Sequence, residues 1–193
     1  MVVKAIIFDC FGVLVTSARN KLSHDYPKLR TQIDDIGHQS DYGMTSRQQF
    51  DDSLAELVGI TSNEVESRYW GASIRNESVV NWVRDIKESG NYKVGMLSNV
   101  GRGFFEDFLP VAEQSNLFDE VVLSYEIGMI KPEIAIYEYI ANRLGVMTNE
   151  CIMIDDMPLN IEGAKNAGMQ GIQFISINQA MSELENLLGS NRA

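Results

Sequence analysis

Residues 2–9 have the sequence VVKAIIFD, an almost uninterrupted apolar run that ends in a carboxylate. A parallel strand that is buried on both faces has this pattern, whereas a half-exposed strand alternates apolar and polar residues. Four more short apolar runs follow along the chain, at residues 93–98, 118–124, 151–155 and 171–177. The sequence therefore predicts five buried strands.

Amphipathic segments of helical period separate the later strands. They cover residues 104–114, 133–144, 158–167 and 179–188. Strands that alternate with helices are typical of βαβ units, in which the sheet is parallel and helices cover both faces. We therefore predict an α/β fold with a doubly wound parallel sheet.

Residues 16–90 interrupt this alternation, because they contain helical segments but no convincing strand. A crossover between parallel strands needs only about a dozen residues. This stretch is much longer, which favours an insertion after the first strand. We predict a helical cap at residues 16–90 and a core domain formed by residues 1–15 and 91–193.

Two helix starts inside the predicted cap have a recognisable signal. Thr45 with Gln48, and Thr61 with Glu64, each fit a capping box, in which the two side chains satisfy free backbone amides at the start of a helix. The sequence therefore predicts helices that begin near residues 45 and 61.

Composition limits the class of protein. The chain has 193 residues, of which 45% are hydrophobic and 22% charged, as in folded globular proteins. Its formal charge of -11 repels nucleic acid and anionic membrane surfaces. No apolar run has the length of a membrane span, and the opening run is too short for a secretory signal. We expect a cytoplasmic protein; the sequence does not indicate its oligomeric state.

The two cysteines, Cys10 and Cys151, are not expected to pair. The predicted strands place them about five residues, or ~16 Å, out of step, which exceeds the span of a disulfide.

Polar residues follow the predicted strands at their carboxyl ends, where parallel sheets bind ligands. They are Asp9, Ser98, Lys131, Asp155 and Asp156. Carboxylates, a hydroxyl and an ammonium group together could provide a nucleophile, a metal site and donors to a phosphoryl group. Taken singly, an aspartate here could cap a helix and the lysine could be solvated. The occurrence of all of them in this order favours a catalytic site.

The local sequences resemble the four motifs of the haloacid dehalogenase superfamily. The matching segments are IIFDCFGVL at residues 6–14, MLSN at 96–99, GMIKP at 128–132 and IMIDD at 152–156. The resemblance covers nearly the whole chain. It implies a hydrolase with a Rossmann-like core and a helical cap of the C1 type, similar to the sugar-phosphate phosphatases of the superfamily.

The resemblance also implies a role for each residue. Asp9 would attack phosphorus and form an aspartyl phosphate. Ser98 and the backbone at Asn99 would donate hydrogen bonds to the phosphoryl oxygens. Lys131 would neutralise developing charge and keep Asp9 ionised, since a nearby cation lowers the pKa of a carboxylate.

A magnesium ion is implied by the same resemblance. Its ligands would be Asp9, Asp155, Asp156 and the main-chain carbonyl of Phe11, and oxygen ligands suit this hard cation. Which of the two adjacent aspartates binds the metal directly stays open at this stage. The expected partner is a small phosphorylated substrate.

Phe11 departs from the family pattern, in which phosphatases have a second aspartate that serves as the acid and base. Loss of such a group slows a reaction by ~10²–10⁴-fold. Three interpretations stay open: a phosphatase that works without this aspartate, a 2-haloacid dehalogenase, and a non-catalytic relative that binds a phosphorylated ligand. The dehalogenase interpretation fits the fourth motif less well, because the chain has Asp155, Asp156 and Asn160 there.

Substrate specificity is expected to come from the cap, because a lid excludes water and contacts the unreactive part of a substrate. Candidate contacts, none preferred, are Tyr42, Arg47, Tyr69 and Trp70. The two histidines, His24 and His38, lie in the cap without a metal-binding pattern and are interpreted as surface residues.

Overall fold

The computed structural model describes residues 2–16, 19–69, 71 and 73–190. Its strands are β1 (Ala5–Phe8), β2 (Lys93–Ser98), β3 (Glu120–Leu123), β4 (Cys151–Asp155) and β5 (Gln170–Gln173). They form one five-stranded sheet in the order β3-β2-β1-β4-β5, and every pairing is parallel. Each predicted strand is present, and the predicted doubly wound α/β fold is confirmed.

A group of helices follows β1 before the chain returns to the sheet. They are α1 (Arg19–Asp25), α2 (Arg30–Asp41), α3 (Arg47–Val58) and α4 (Ser62–Tyr69), with a short 3-10 helix at Pro27–Leu29. α3 packs against both α2 and α4, and α1 packs against α2 and α4. These helices therefore form one cluster, consistent with an inserted cap.

The remaining helices cover the sheet. They are α5 (Glu77–Ser89), α6 (Val111–Leu117), the single turn α7 (Ser124–Ile127), α8 (Ile134–Leu144), α9 (Pro158–Asn166) and α10 (Ile177–Ser190). Buried residues of α5, α6 and α10 share a cluster with Ile6 and Phe8, whereas those of α8 and α9 share a cluster with Ala5 and Ile7. Since alternate residues of a strand point to opposite faces, β1 lies between two helical layers.

α5 lies against the sheet, although the predicted cap includes its residues. The ring of Trp82 meets the ring of Phe8 edge to face, with their centroids 5.4 Å apart. The division of the chain into a cap at 16–90 and a core at 1–15 and 91–193 stays a prediction.

Two expectations for helix starts are wrong, one by seven residues and the other by one. The helix predicted at 104–114 is α6, which begins after Pro110. Proline disfavours the helical conformation in the residue before it, so a helix cannot easily run through Leu109. α3 starts from Ser46, whose side chain forms a capping box with Gln49 rather than the predicted one from Thr45.

Other expectations agree with the structure. Thr61 and Glu64 exchange the hydrogen bonds of a capping box at the start of α4. Cys10 and Cys151 are buried, unpaired thiols. Among the described helices, none combines the length and the apolar composition that crossing a bilayer requires.

Candidate active site

The site lies at the carboxyl edge of the sheet, where β1 and β4 end side by side. Phe8 pairs with Ile154, which places the next residues, Asp9 and Asp155, at the same level. The Asp9 amide donates to the Ile154 carbonyl at 2.9 Å, and the Cys10 amide donates to Oδ1 of Asp9 at 2.6 Å. The sheet register thus fixes the backbone of Asp9, and the amide of the next residue holds its carboxylate.

Lys131 connects these two carboxylates. Its Nζ lies 2.8 Å from Oδ1 of Asp9 and 2.7 Å from Oδ2 of Asp155, and it donates to the Leu97 carbonyl at 2.9 Å. All three donors of the ammonium group are therefore used. The residue is buried, so the alternative of a solvated loop lysine is wrong.

Asn99 holds the loop that carries this lysine. Its Nδ2 donates to the Lys131 carbonyl at 2.9 Å, and its Oδ1 accepts from the Lys131 amide at 2.8 Å. Sequence analysis assigned only the backbone of Asn99 to the site. The side chain also positions the lysine, and nothing in the local sequence indicates this pairing because the two residues are far apart in the chain.

Asp155 is oriented from the opposite side. Both of its oxygens accept from Nδ2 of Asn160 at 3.0 Å, and Oδ1 also accepts from the Met157 amide at 2.8 Å. The Tyr137 hydroxyl donates to the Asn160 carbonyl at 2.7 Å. Asn160 and Tyr137 therefore support Asp155, which is a role that sequence analysis did not assign to them.

The acidic cluster fits a hard divalent cation. Asp9, Asp155 and Asp156 each offer an oxygen within 4.8 Å of the others. Both oxygens of Asp155 are already hydrogen bonded, whereas Oδ1 of Asp156 is buried without a partner among the described residues. A buried carboxylate oxygen without a donor is costly unless a cation satisfies it. The donor set of this chain therefore fits magnesium, with the Phe11 carbonyl as a further predicted ligand.

Burial dominates the protonation of the cluster. It raises the pKa of Asp9 well above the usual range, Asp155 adds to this shift, and Lys131 opposes it without cancelling it. Burial and Asp155 likewise raise the pKa of Asp156 to about 6. Lys131 thus lowers the pKa of Asp9, in the expected direction, and its role in keeping Asp9 ionised stays a prediction.

Lys131 itself stays charged. Burial lowers its pKa, but the carboxylates of Asp155 and Asp9 outweigh burial and raise the pKa above the ordinary lysine value. A lysine with this environment supplies a fixed positive charge and is a poor proton donor.

Ser98 ends β2 and is fully buried. Its hydroxyl has no hydrogen-bond partner in the described part of the chain. A buried hydroxyl without a partner is unusual and suits a group that would donate to a ligand oxygen.

A cavity of about 260 Å³ opens above the cluster. Five of the predicted site residues line it, namely Asp9, Phe11, Asn99, Lys131 and Asp156, whereas Ser98 and Asp155 lie behind them. α2 contributes Arg30, Asp34, Gly37, His38 and Asp41 to the lining. Sequence analysis missed this polar stripe, although its spacing of three to four residues is that of one helix face.

The cap residues proposed from sequence take other positions. The Tyr42 hydroxyl hydrogen bonds to Glu133, and the Arg47 guanidinium contacts the Gly103 carbonyl at 2.7 Å and Asp107 at 2.9 Å. Neither is among the described residues that line the cavity. The side chain of Tyr69 and all of Trp70 lie outside the part of the chain that the structure describes.

The fold and the site together define a class of protein. It is an α/β protein with three carboxylates and a buried lysine at the carboxyl edge of its parallel sheet. The sequence model of the family described as haloacid dehalogenase-like hydrolase matches residues 3–168. The chain belongs to this family, as its motifs predicted, and is therefore an enzyme of the hydrolase class.

Individual relatives are similar over nearly the whole chain. The sesquiterpene phosphatase astK of Aspergillus oryzae is 25% identical over 96% of this chain and 97% of its own length. The D-ribitol-5-phosphate phosphatase of Bacteroides thetaiotaomicron is 25% identical over 89% of this chain and 91% of its own length. Other curated relatives are much longer, and the matches span 19% and 14% of two of them.

A solved structure has the same fold. The magnesium complex of the HAD (haloacid dehalogenase) family enzyme bt-2542 from Bacteroides thetaiotaomicron superimposes with a TM-score of 0.76, covering 97% of this chain and 98% of that one. At 21% identity, this similarity shows the fold alone.

Proposed function

We propose that this protein is a magnesium-dependent phosphatase that hydrolyses small phosphorylated metabolites, such as sugar phosphates, through an aspartyl phosphate on Asp9. The arrangement of charges supports this proposal most strongly. One buried lysine contacts two of three clustered carboxylates below a cavity of about 260 Å³. Curated phosphatases that align over nearly the whole chain support this choice.

Asp9 is the nucleophile in this proposal because of its position. Of the two carboxylates that Lys131 contacts, Asp9 lines the cavity, whereas Asp155 lies behind it and is held by Asn160. The hydrogen bond from the Cys10 amide fixes one oxygen of Asp9. A fixed carboxylate facing the cavity can attack phosphorus without reorganisation.

The reaction proceeds in two displacements. An oxygen of Asp9 forms a bond to phosphorus while the ester bond to the leaving alcohol breaks, and water then attacks phosphorus and releases inorganic phosphate and Asp9. Lys131, the Ser98 hydroxyl and the backbone at Asn99 stabilise the phosphoryl oxygens. Bound magnesium would supply positive charge that reduces repulsion between the carboxylates and the phosphoryl group.

A haloacid dehalogenase is the second candidate, and Phe11 favours it. The ring of Phe11 packs edge to face against Phe108, with centroids 5.7 Å apart, and forms an apolar part of the cavity wall. Asp155 and Asp156 count against this candidate, because two further carboxylates beside Asp9 have no purpose in a reaction that needs no cation.

Phosphate release from a panel of sugar phosphates, nucleotides and 4-nitrophenyl phosphate, with and without magnesium, tests the proposal. We expect turnover that needs magnesium and stops after treatment with EDTA. Turnover of the panel that persists after exhaustive EDTA treatment would remove the magnesium phosphatase, as would chloride release from 2-chloropropionate without any phosphate release.

A further inference from the structure

The proposed reaction needs a proton donor for the leaving group, and Phe11 and Lys131 do not provide one. When the ester bond breaks, an alkoxide leaves and needs a proton. Phe11 has none to give, and Lys131 keeps its proton because its ammonium group is paired with both Asp9 and Asp155. The proton must therefore come from another wall of the cavity.

The direction of the reaction identifies that wall. In an in-line displacement, the leaving oxygen lies on the side of phosphorus that faces away from the nucleophile. Asp9 lines the cavity at the sheet edge, and residues of α2 line another part of its wall. The leaving oxygen therefore points toward the stripe on α2.

Four residues of that stripe carry polar side chains. Arg30 carries a guanidinium, a side chain that acts as a hydrogen-bond donor and not as an acid in proteins. Asp34 accepts from the Ser23 hydroxyl at 3.2 Å and lies 3.6 Å from the Arg30 guanidinium, so its oxygens are already engaged. Asp41 is buried, whereas His38 is exposed and lines the cavity.

We propose that His38 is the proton donor to the leaving alcohol, an inference that rests on the proposed phosphatase function. Imidazole can give and regain a proton near neutral pH, as a general acid and base must. No hydrogen bond or ion pair to the described residues holds the His38 ring, so both of its nitrogens are available to a substrate.

The proton balance closes over one turnover. As the ester bond breaks, its electron pair stays on the alkoxide oxygen, which takes the proton of the charged His38 imidazole. The neutral imidazole then accepts a proton from the water that attacks the phosphorus of the aspartyl phosphate. Inorganic phosphate and the Asp9 carboxylate are released, and His38 is charged again.

The test compares two leaving groups. Nitrophenolate needs little help from a proton, whereas the alkoxide of glycerol 3-phosphate or ribitol 5-phosphate needs much. We expect His38→Gln to lower kcat for the alkyl phosphates by ~10²-fold, and to lower kcat for 4-nitrophenyl phosphate at least about ten times less. A residue that only shaped the cavity would affect both substrates equally.

The chain offers a matched control, because its only other histidine is His24. That side chain is 89% exposed and is not among the residues that line the cavity. His24→Gln should leave both rates unchanged. In a His38→Gln background, Phe11→Asp should restore part of the alkyl phosphate rate, because it places a carboxyl group beside the site.

Three results would overturn the proposal. The first is an equal loss of kcat for both substrates in a folded His38→Gln variant. The second is a larger loss for alkyl phosphates in Asp41→Asn and not in His38→Gln. The third is a wild-type enzyme that hydrolyses 4-nitrophenyl phosphate but no alkyl phosphate. If the wild type hydrolyses neither substrate with magnesium, the phosphatase function itself fails.

Discussion

Gly12 lies beside Asp156 and leaves no room for a side chain there. Its φ is +99°, and a Cβ placed there would lie 2.3 Å from Cγ of Asp156. We expect Gly12→Ala to displace Asp156 and weaken magnesium binding by about 10–100-fold, the range seen when groups that orient metal ligands are changed. Titration of the folded variant with magnesium by calorimetry measures this loss.

Gly145→Ala is the matched control for this substitution. Gly145 also has a positive φ, of +72°, but a Cβ there would meet nothing within 4 Å. It therefore shares the backbone strain without contacting the site. If both variants lose the same affinity for magnesium, strain rather than displacement of Asp156 explains the effect.

Phe11 gives a second prediction at the residue scale. Phe11→Asp places a carboxyl group near the leaving group and the attacking water, at the expense of the ring contact with Phe108. We expect turnover of sugar phosphates to rise more than that of 4-nitrophenyl phosphate, whose leaving group hardly needs a proton. An equal change in both, with circular dichroism showing a folded variant, would mean that position 11 is not an acid-base position.

The site residues at strand ends could be predicted from sequence, but the residues that position them and complete the cavity could not. Asp9, Ser98 and Asp155 each follow or end a short apolar run, and the parallel sheet brings such residues to one edge. The pairing of Asn99 with Lys131 and the stripe on α2 depend on how distant segments pack. Local patterns contain no information about such packing.

At the scale of elements, α3 contains a buried carboxylate, Asp51, whose Oδ1 lacks a partner in the described part of the chain. Burial raises the pKa of Asp51 to about 6, and nearby Arg47 only partly opposes this. The folded state therefore binds a proton more tightly than the unfolded state, so stability falls as pH rises from about 4 to 6.

Asp51→Asn should remove this pH dependence. We expect the variant to be more stable than the wild type at pH 7 by about 1 kcal/mol, a value reduced for partial solvation of the carboxylate, and equally stable near pH 4. Urea unfolding at the two pH values measures the difference. The exposed Asp35→Asn is the control, and a stability gain that persists at pH 4 would contradict the assignment.

Element boundaries show where local sequence signals decide and where they do not. β2 and β4 begin and end where the apolar runs do, because their burial on both faces leaves no alternative pattern. The start of α6 was misplaced because Phe104, Phe105 and Leu109 have helical spacing but are buried in a turn-rich loop before Pro110. Tertiary burial, rather than helical periodicity, accounts for these apolar residues.

At the scale of the whole molecule, three clustered carboxylates in a chain of charge -11 are a source of repulsion that a cation would relieve. A ligand that binds only the folded state raises its stability. We expect magnesium at millimolar concentration to raise Tm by about 5 °C. Asp156→Asn should abolish this rise in Tm, and the control Asp35→Asn should retain it. A wild-type Tm that does not respond to magnesium would count against a metal site.

Covalent catalysis by Asp9 can be examined by rapid-quench labelling. The enzyme is mixed with magnesium and a ³²P-labelled phosphate ester that it hydrolyses, quenched in acid within one turnover, and digested to locate the label. We expect label on the peptide that contains Asp9. A folded Asp9→Asn variant should show neither label nor turnover, whereas Asp35→Asn should be labelled like the wild type. Label on a different residue, or hydrolysis by Asp9→Asn at the wild-type rate, would contradict covalent catalysis by Asp9.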